Sequence, residues 1–97
     1  MTVHPESIGE ARTRALADTF PTLRGAIKSW DPQRLARWAS SSERCSAARH
    51  AARFVLSVWD PYGEWECGPF NLHLALQCWD DKHRAAFLTW VKNPWWP

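Results

Sequence analysis

The chain has 97 residues, 45% hydrophobic and 23% charged, with a net charge of +2. That balance excludes a disordered polymer, and the length predicts one domain. No apolar run approaches the roughly 20 residues that span a bilayer, so no membrane role is expected.

The first helix is expected from Ser7 to about Asp18, with Ile8, Ala11, Ala15 and Leu16 on one face and Arg12 and Arg14 off it. Phe20-Pro21 breaks it, because proline disfavours helix in the residue before it. Pro21 then opens a second short helix, in which Leu23, Ile27 and Trp30 follow at spacings of four and three. Asp31-Pro32 restarts the chain, with Asp as N-cap and Pro at the first helical position. The helix it opens gathers Leu35, Trp38 and Ala39. Ser40 and Glu43 have the spacing of a capping box, which is expected to launch the next helix.

That helix carries the clearest pattern in the chain. Cys45, Ala48, Ala52, Val55 and Trp59 recur at three and four, Leu56 widens the stripe, and Arg44, Arg49, His50 and Arg53 lie mostly off it. It is expected to be the central core helix. Asp60-Pro61-Tyr62-Gly63 is a turn that opens one long loop, at about 60–69. Phe70-Asn71 reads as a staple residue and N-cap. Leu72 to Trp79 is apolar nearly all round, so deep burial is expected. Asp80 caps a last helix, roughly Asp81 to Lys92, with Ala86, Phe87, Trp90 and Val91 buried, and Asn93-Pro94 stops it. The expected architecture is all-α: a compact single-domain bundle of five or six helices.

Eight tryptophans are the compositional outlier. Trp30-Asp31-Pro32, Trp59-Asp60-Pro61 and Trp79-Asp80-Asp81 share one punctuation: an indole closes an element and a carboxylate starts the next. Trp65, Trp95 and Trp96 lie outside the helical pattern. The two C-terminal rings are expected to fold back on the core, and Trp65 to be an exposed anchor for a partner.

Catalysis and metal binding are weakly encoded. Cys67, His73, Cys78 and His83 lack the tight pairs that tetrahedral zinc favours, so no metal or cofactor is expected. Cys67 has Glu64 and Glu66 beside it, which would raise a thiol pKa and oppose nucleophilic use. The basic charge is concentrated early: residues 1–58 carry nine Lys/Arg and five Asp/Glu, and residues 59–97 three and five. A DNA- or RNA-binding role would use Arg44, Arg49 and Arg53 on the central helix, after a helix–turn–helix-like approach. The three cysteines form no framework, and Met1-Thr2-Val3-His4-Pro5-Glu6 has no basic start before an apolar stretch, so a cytoplasmic setting with free thiols is expected.

From about Ala52 onward the chain resembles a family of small uncharacterised proteins of proteobacterial plasmids, phages and integrative elements. The residues that carry the likeness are Cys67-Gly68-Pro69-Phe70-Asn71-Leu72, Trp79-Asp80-Asp81, His83-Arg84-Ala85-Ala86-Phe87-Leu88 and Asn93-Pro94-Trp95-Trp96-Pro97. The resemblance implies a mobile-element setting and assigns no catalytic residue. By association it points to a non-enzymatic binder of a host complex, of the anti-CRISPR or other anti-defence type. The partner-binding residues expected are Trp65, Arg44, Arg49 and Arg53, with a protein partner first and nucleic acid second.

Overall fold

The computed structural model describes residues 6–97. Residues 1–5, on which the expectation about a secretory leader rests, lie outside the described residues. Five helices and no strand occur among the described residues: α1 (Ile8–Asp18), α2 (Pro32–Ser40), α3 (Ser46–Trp59), α4 (Leu72–Cys78) and α5 (Asp81–Lys92). None of them is long and apolar enough to cross a membrane.

α1 starts at a reciprocal cap. Ser7 Oγ accepts from the Glu10 backbone N–H at 3.1 Å, and Glu10 Oε1 accepts from the Ser7 N–H at 3.1 Å. Two N-terminal donors are thereby satisfied. The expected second helix from Pro21 does not form. The N–H groups of Leu23 and Arg24 both reach the Phe20 carbonyl, at 2.9 and 3.1 Å, and the turn then stops at Gly25, whose φ is +77°. That left-handed conformation suits glycine and ends helical propagation. Residues 19–31 are therefore a second long irregular segment, yet Phe20, Leu23 and Trp30 remain buried. Glu6 ties this segment to α1: it pairs with Arg14 at 2.8 Å and accepts from the Trp30 backbone N–H at 3.0 Å.

Asp31 caps α2 by accepting from the Arg34 N–H at 3.0 Å, with Pro32 at the first helical position. The capping box at Ser40 and Glu43 is not formed. Ser40 is the last residue of α2, and its hydroxyl lies 2.9 Å from the Arg37 carbonyl of the helix it ends rather than capping the next one. α3 begins only after Cys45, which is exposed and makes no side-chain capping bond. The core role of α3 holds: Ala48, Ala51, Ala52, Phe54, Val55, Leu56 and Val58 are buried on it. α1, α2 and α4 all pack against it.

Three helical burial expectations are corrected. On α1 the buried residues are Thr13, Leu16 and Ala17, whereas Ile8 is 89% exposed and Ala15 is also exposed, because only the face turned to α3 is covered. Ala75 is the buried residue of α4, whereas Leu72, Leu74 and Leu76 are 46%, 45% and 38% exposed. Seven residues make only two turns, one face of which meets α3. The flanking Phe70 and Trp79 fill the core space instead, stacked with centroids 5.9 Å apart. On α5 the inward positions are His83, Ala86, Phe87 and Trp90, so Val91, about 100° further round the helix, turns out and is 43% exposed.

Phe54 is the hub of the core. Its ring lies 5.7 Å from Phe20, 5.4 Å from Phe70, 5.1 Å from Phe87 and 5.3 Å from Trp90, centroid to centroid, and three of these four contacts are edge-on. Such geometry is favourable beyond area burial alone. Of the two tail rings expected to fold back, Trp95 packs against the core and Trp96 does not. Trp90 Nε1 donates to the Trp95 carbonyl at 3.1 Å, and Arg12 of α1 lies 4.3 Å over the Trp95 ring. Trp96 stays 58% exposed, edge-on to Trp90.

Candidate partner-binding site at the 60–71 loop

The loop from α3 to α4 is built from short local bonds. Asp60 ends α3 with its N–H on the Leu56 carbonyl at 2.9 Å, and its carboxylate accepts from the Tyr62 N–H at 3.0 Å. The Gly63 N–H returns to the Asp60 carbonyl at 3.1 Å, and the Gly68 N–H to the Trp65 carbonyl at 2.9 Å. Gly68 has φ +87°, which reserves the position for glycine. Two longer bonds fix the loop to the helices. Arg53 of α3 donates Nε–H to the Cys67 carbonyl at 2.6 Å, and the single hydroxyl proton of Ser40 on α2 is shared between the Arg37 carbonyl and Glu66 Oε2, at 2.9 and 3.0 Å.

Trp65 is half-buried rather than exposed. Its indole lies against Gly63 so closely that a Cβ there would come within 2.8 Å of the ring. Its Nε1 is buried and has no hydrogen-bond partner. Trp65 lines two shallow grooves, one of about 200 Å³ with Gln33, Arg37, Glu64 and Glu66 and one of about 220 Å³ with Arg53, Ser57, Asp60 and Pro69. Tyr62, at the tip, is 93% exposed.

The three arginines are divided. Arg53 joins Trp65 at the second groove. Arg44 lies 4.3 Å over the Trp38 ring and donates to the Trp38 carbonyl at 3.1 Å. Arg49 donates to the carbonyls of Ala39, Ser41 and Arg44 at 3.1, 3.2 and 3.4 Å, closing the C-terminal end of α2 onto α3. All three are half-buried and bound to backbone. Arg37, Glu66 and Tyr62 join the site without having been singled out. The exposed Asp-Pro-Tyr-Gly turn was a signal for Tyr62, whereas Arg37 is placed by the α2–loop packing, which no local pattern encodes.

The cysteine and histidine set is dispersed. Cys67 is buried, Cys78 and His73 are exposed, and His83 is buried with Nδ1 2.7 Å from Asp80 Oδ1 and Nε2 2.8 Å from the Thr22 hydroxyl. No group of three or more His, Cys, Asp or Glu side chains converges among the described residues. Burial pushes the Cys67 thiol above its ordinary pKa, against the pull of Arg53, with Glu66 adding a smaller push upward. His50 is buried with Nδ1 unpaired, and its pKa is lowered by burial first and by Arg53 and Arg49 second. No family model matches the chain, and no curated protein or solved structure matches it either.

Proposed function

We propose that the chain is a non-enzymatic protein-binding module that takes its partner at Trp65 and the two grooves beside it. The observation that carries this reading is the indole itself: an aromatic residue that lines two grooves, held on a loop bonded to α2 and α3, with a buried N–H that has no acceptor. A rigid aromatic flanked by shallow grooves with charged rims is the usual make-up of an interface hot spot. Arg37, Glu64 and Glu66 line one groove and Arg53 and Asp60 the other, so a partner segment carrying both charges is accommodated. The likeness of the C-terminal half to mobile-element proteins supports a host defence complex as the target, met in the cytoplasm in the manner of anti-CRISPR and other anti-defence inhibitors.

The test is affinity capture from native-host lysate by the tagged full chain, followed by quantitative binding of the captured protein. Trp65→Ala and Arg37→Glu should each weaken that binding by tenfold or more, about the 1.4 kcal/mol expected of a hot-spot side chain. Undiminished binding by both variants, each shown to be folded by circular dichroism, would sink the proposal. Nucleic-acid binding through Arg44, Arg49 and Arg53 is the weaker reading, because part of each guanidinium already serves a backbone carbonyl. A gel shift that falls steeply with salt and is lost on neutralising these arginines would favour it instead.

A further inference from the structure

α5 carries a second surface that owes nothing to the Trp65 loop. Asp81, Ala85, Leu88 and Lys92 recur at four, three and four, and all are exposed, Leu88 to 50%. At about 100° per residue this stripe lies opposite His83, Ala86, Phe87 and Trp90, the residues turned to the core. The spacing is that of a short coiled-coil seam. Leu88, half exposed, is the large apolar residue at its centre.

We propose that this face of α5 pairs antiparallel with α5 of a second copy of the chain, about a two-fold axis passing between Ala85 and Leu88. The sequence of the stripe is self-complementary in that arrangement alone. Antiparallel pairing sets Leu88 of each copy against the small Ala85 of the other, large into small. It also sets Asp81, in the first turn, against Lys92 of the second copy, in the last turn, so opposite charges meet at both ends. A parallel pair would put Asp81 on Asp81 and Lys92 on Lys92. One patch serving both partners is the requirement of a two-fold interface. Arg84 donates to the Leu76 carbonyl at 2.7 Å, which ties the C-terminal part of α4, with its exposed Leu76, to α5. Val91 lies on the same flank as Arg84.

The seam is short. Twelve residues of helix span about 18 Å, which places the contact at the small end of protein–protein interfaces and makes the association a weak one.

Sedimentation equilibrium of the full chain, from about 10 μM to about 1 mM, reads the association directly. The apparent mass should rise from 11.2 kDa towards twice that value. Leu88→Glu should remain monomeric throughout. Asp81→Lys and Lys92→Asp should each weaken the dimer about tenfold, since each places like charges at both ends. The double variant should restore it. Helix-dipole effects predict the opposite order, because both substitutions oppose the dipole and the double variant would then be the worst of the three. Trp65→Ala should leave the dimer unchanged, which separates this surface from the proposed partner site. A single 11.2 kDa species at every concentration overturns the proposal, as does a double variant no better than the singles.

Discussion

Arg53 and Cys67 are joined by the Arg53 Nε–H donating to the Cys67 carbonyl at 2.6 Å, across a sequence separation of 14 residues. This bond anchors the loop that carries Trp65 to the most buried helix of the molecule. The arginine reaches out from the edge of the core stripe, and its guanidinium lies beside Gly68, where a Cβ would come within 3.5 Å of it. Loop position and helix packing are thus coupled through one side chain.

Arg53→Ala should therefore lower stability by about 1–3 kcal/mol, the range for a hydrogen bond to a charged donor that leaves a carbonyl without its partner. Urea titration at neutral pH measures it. The loss should be concentrated in the 60–71 loop, seen as faster cleavage there under limited proteolysis while α3 stays protected. Arg53→Lys keeps the charge but cannot reproduce the Nε–H direction, so it should recover only part of the difference.

Phe54→Ala should be the most damaging of the aromatic truncations, at about 3–5 kcal/mol, because the ring is buried and lies against four other aromatic rings at 5.1–5.7 Å. The same truncation at Tyr62, which is 93% exposed, should shift stability by no more than about 0.5 kcal/mol. Thermal unfolding of the two variants side by side decides the ranking. Comparable losses would mean that the loop tip, not Phe54, organises the core.

The elements that sequence reading placed best are those whose cause is local. Asp31, Asn71 and Asp80 each cap a helix by accepting the N–H three residues on, at 3.0, 3.0 and 2.9 Å, and the three-four spacing along α3 finds Ala48, Ala52, Val55 and Leu56 of its buried face but misses Ala51, Phe54 and Val58, places the buried His50 off it, and includes the exposed Cys45. The misplacements have tertiary causes. The segment after Pro21 has helical spacing but is cut at Gly25, and its buried side chains are satisfied without a helix. The leucines of α4 are exposed because Phe70 and Trp79 compete for the same core space, which hydrophobicity alone does not report. Arg49 and Arg53 resemble a free basic face on a helical wheel. Only the folded chain brings the carbonyls of Ala39 and Cys67 to them.

His50 predicts a loss of stability on mild acidification. Its pKa is lowered from 6.5, first by burial and then by Arg53 and Arg49. Between the folded and unfolded pKa values the unfolded chain binds the extra proton, so stability rises with pH across that window. The contribution of the neutral ring is complete above pH 6.5 and is lost as pH falls through the folded value. Melting temperatures from pH 7.5 down to pH 5 should decline, and His50→Gln should flatten that decline. Asp80, held low mainly by the His83 backbone N–H, adds a separate loss only below about pH 3.8. A melting temperature independent of pH between 7.5 and 5 would contradict the assignment to His50.

The thiols should separate into two reactive groups and one protected group. Cys45 and Cys78 are exposed, whereas Cys67 is buried and its pKa is raised by that burial more than Arg53 lowers it. A disulfide reagent at pH 8 should titrate two of the three cysteines quickly, and the third only as fast as the loop opens. Arg53→Ala tests which influence dominates at Cys67. Removing the positive charge raises the thiol pKa further and slows attack modestly, whereas removing the tether makes opening easier by about 1–3 kcal/mol, or roughly five- to 150-fold in the open population. The second effect is the larger, so Cys67 should react faster in Arg53→Ala than in the unaltered protein. A slower reaction would mean that the guanidinium acts on Cys67 through its charge and that the loop is held in place by other contacts.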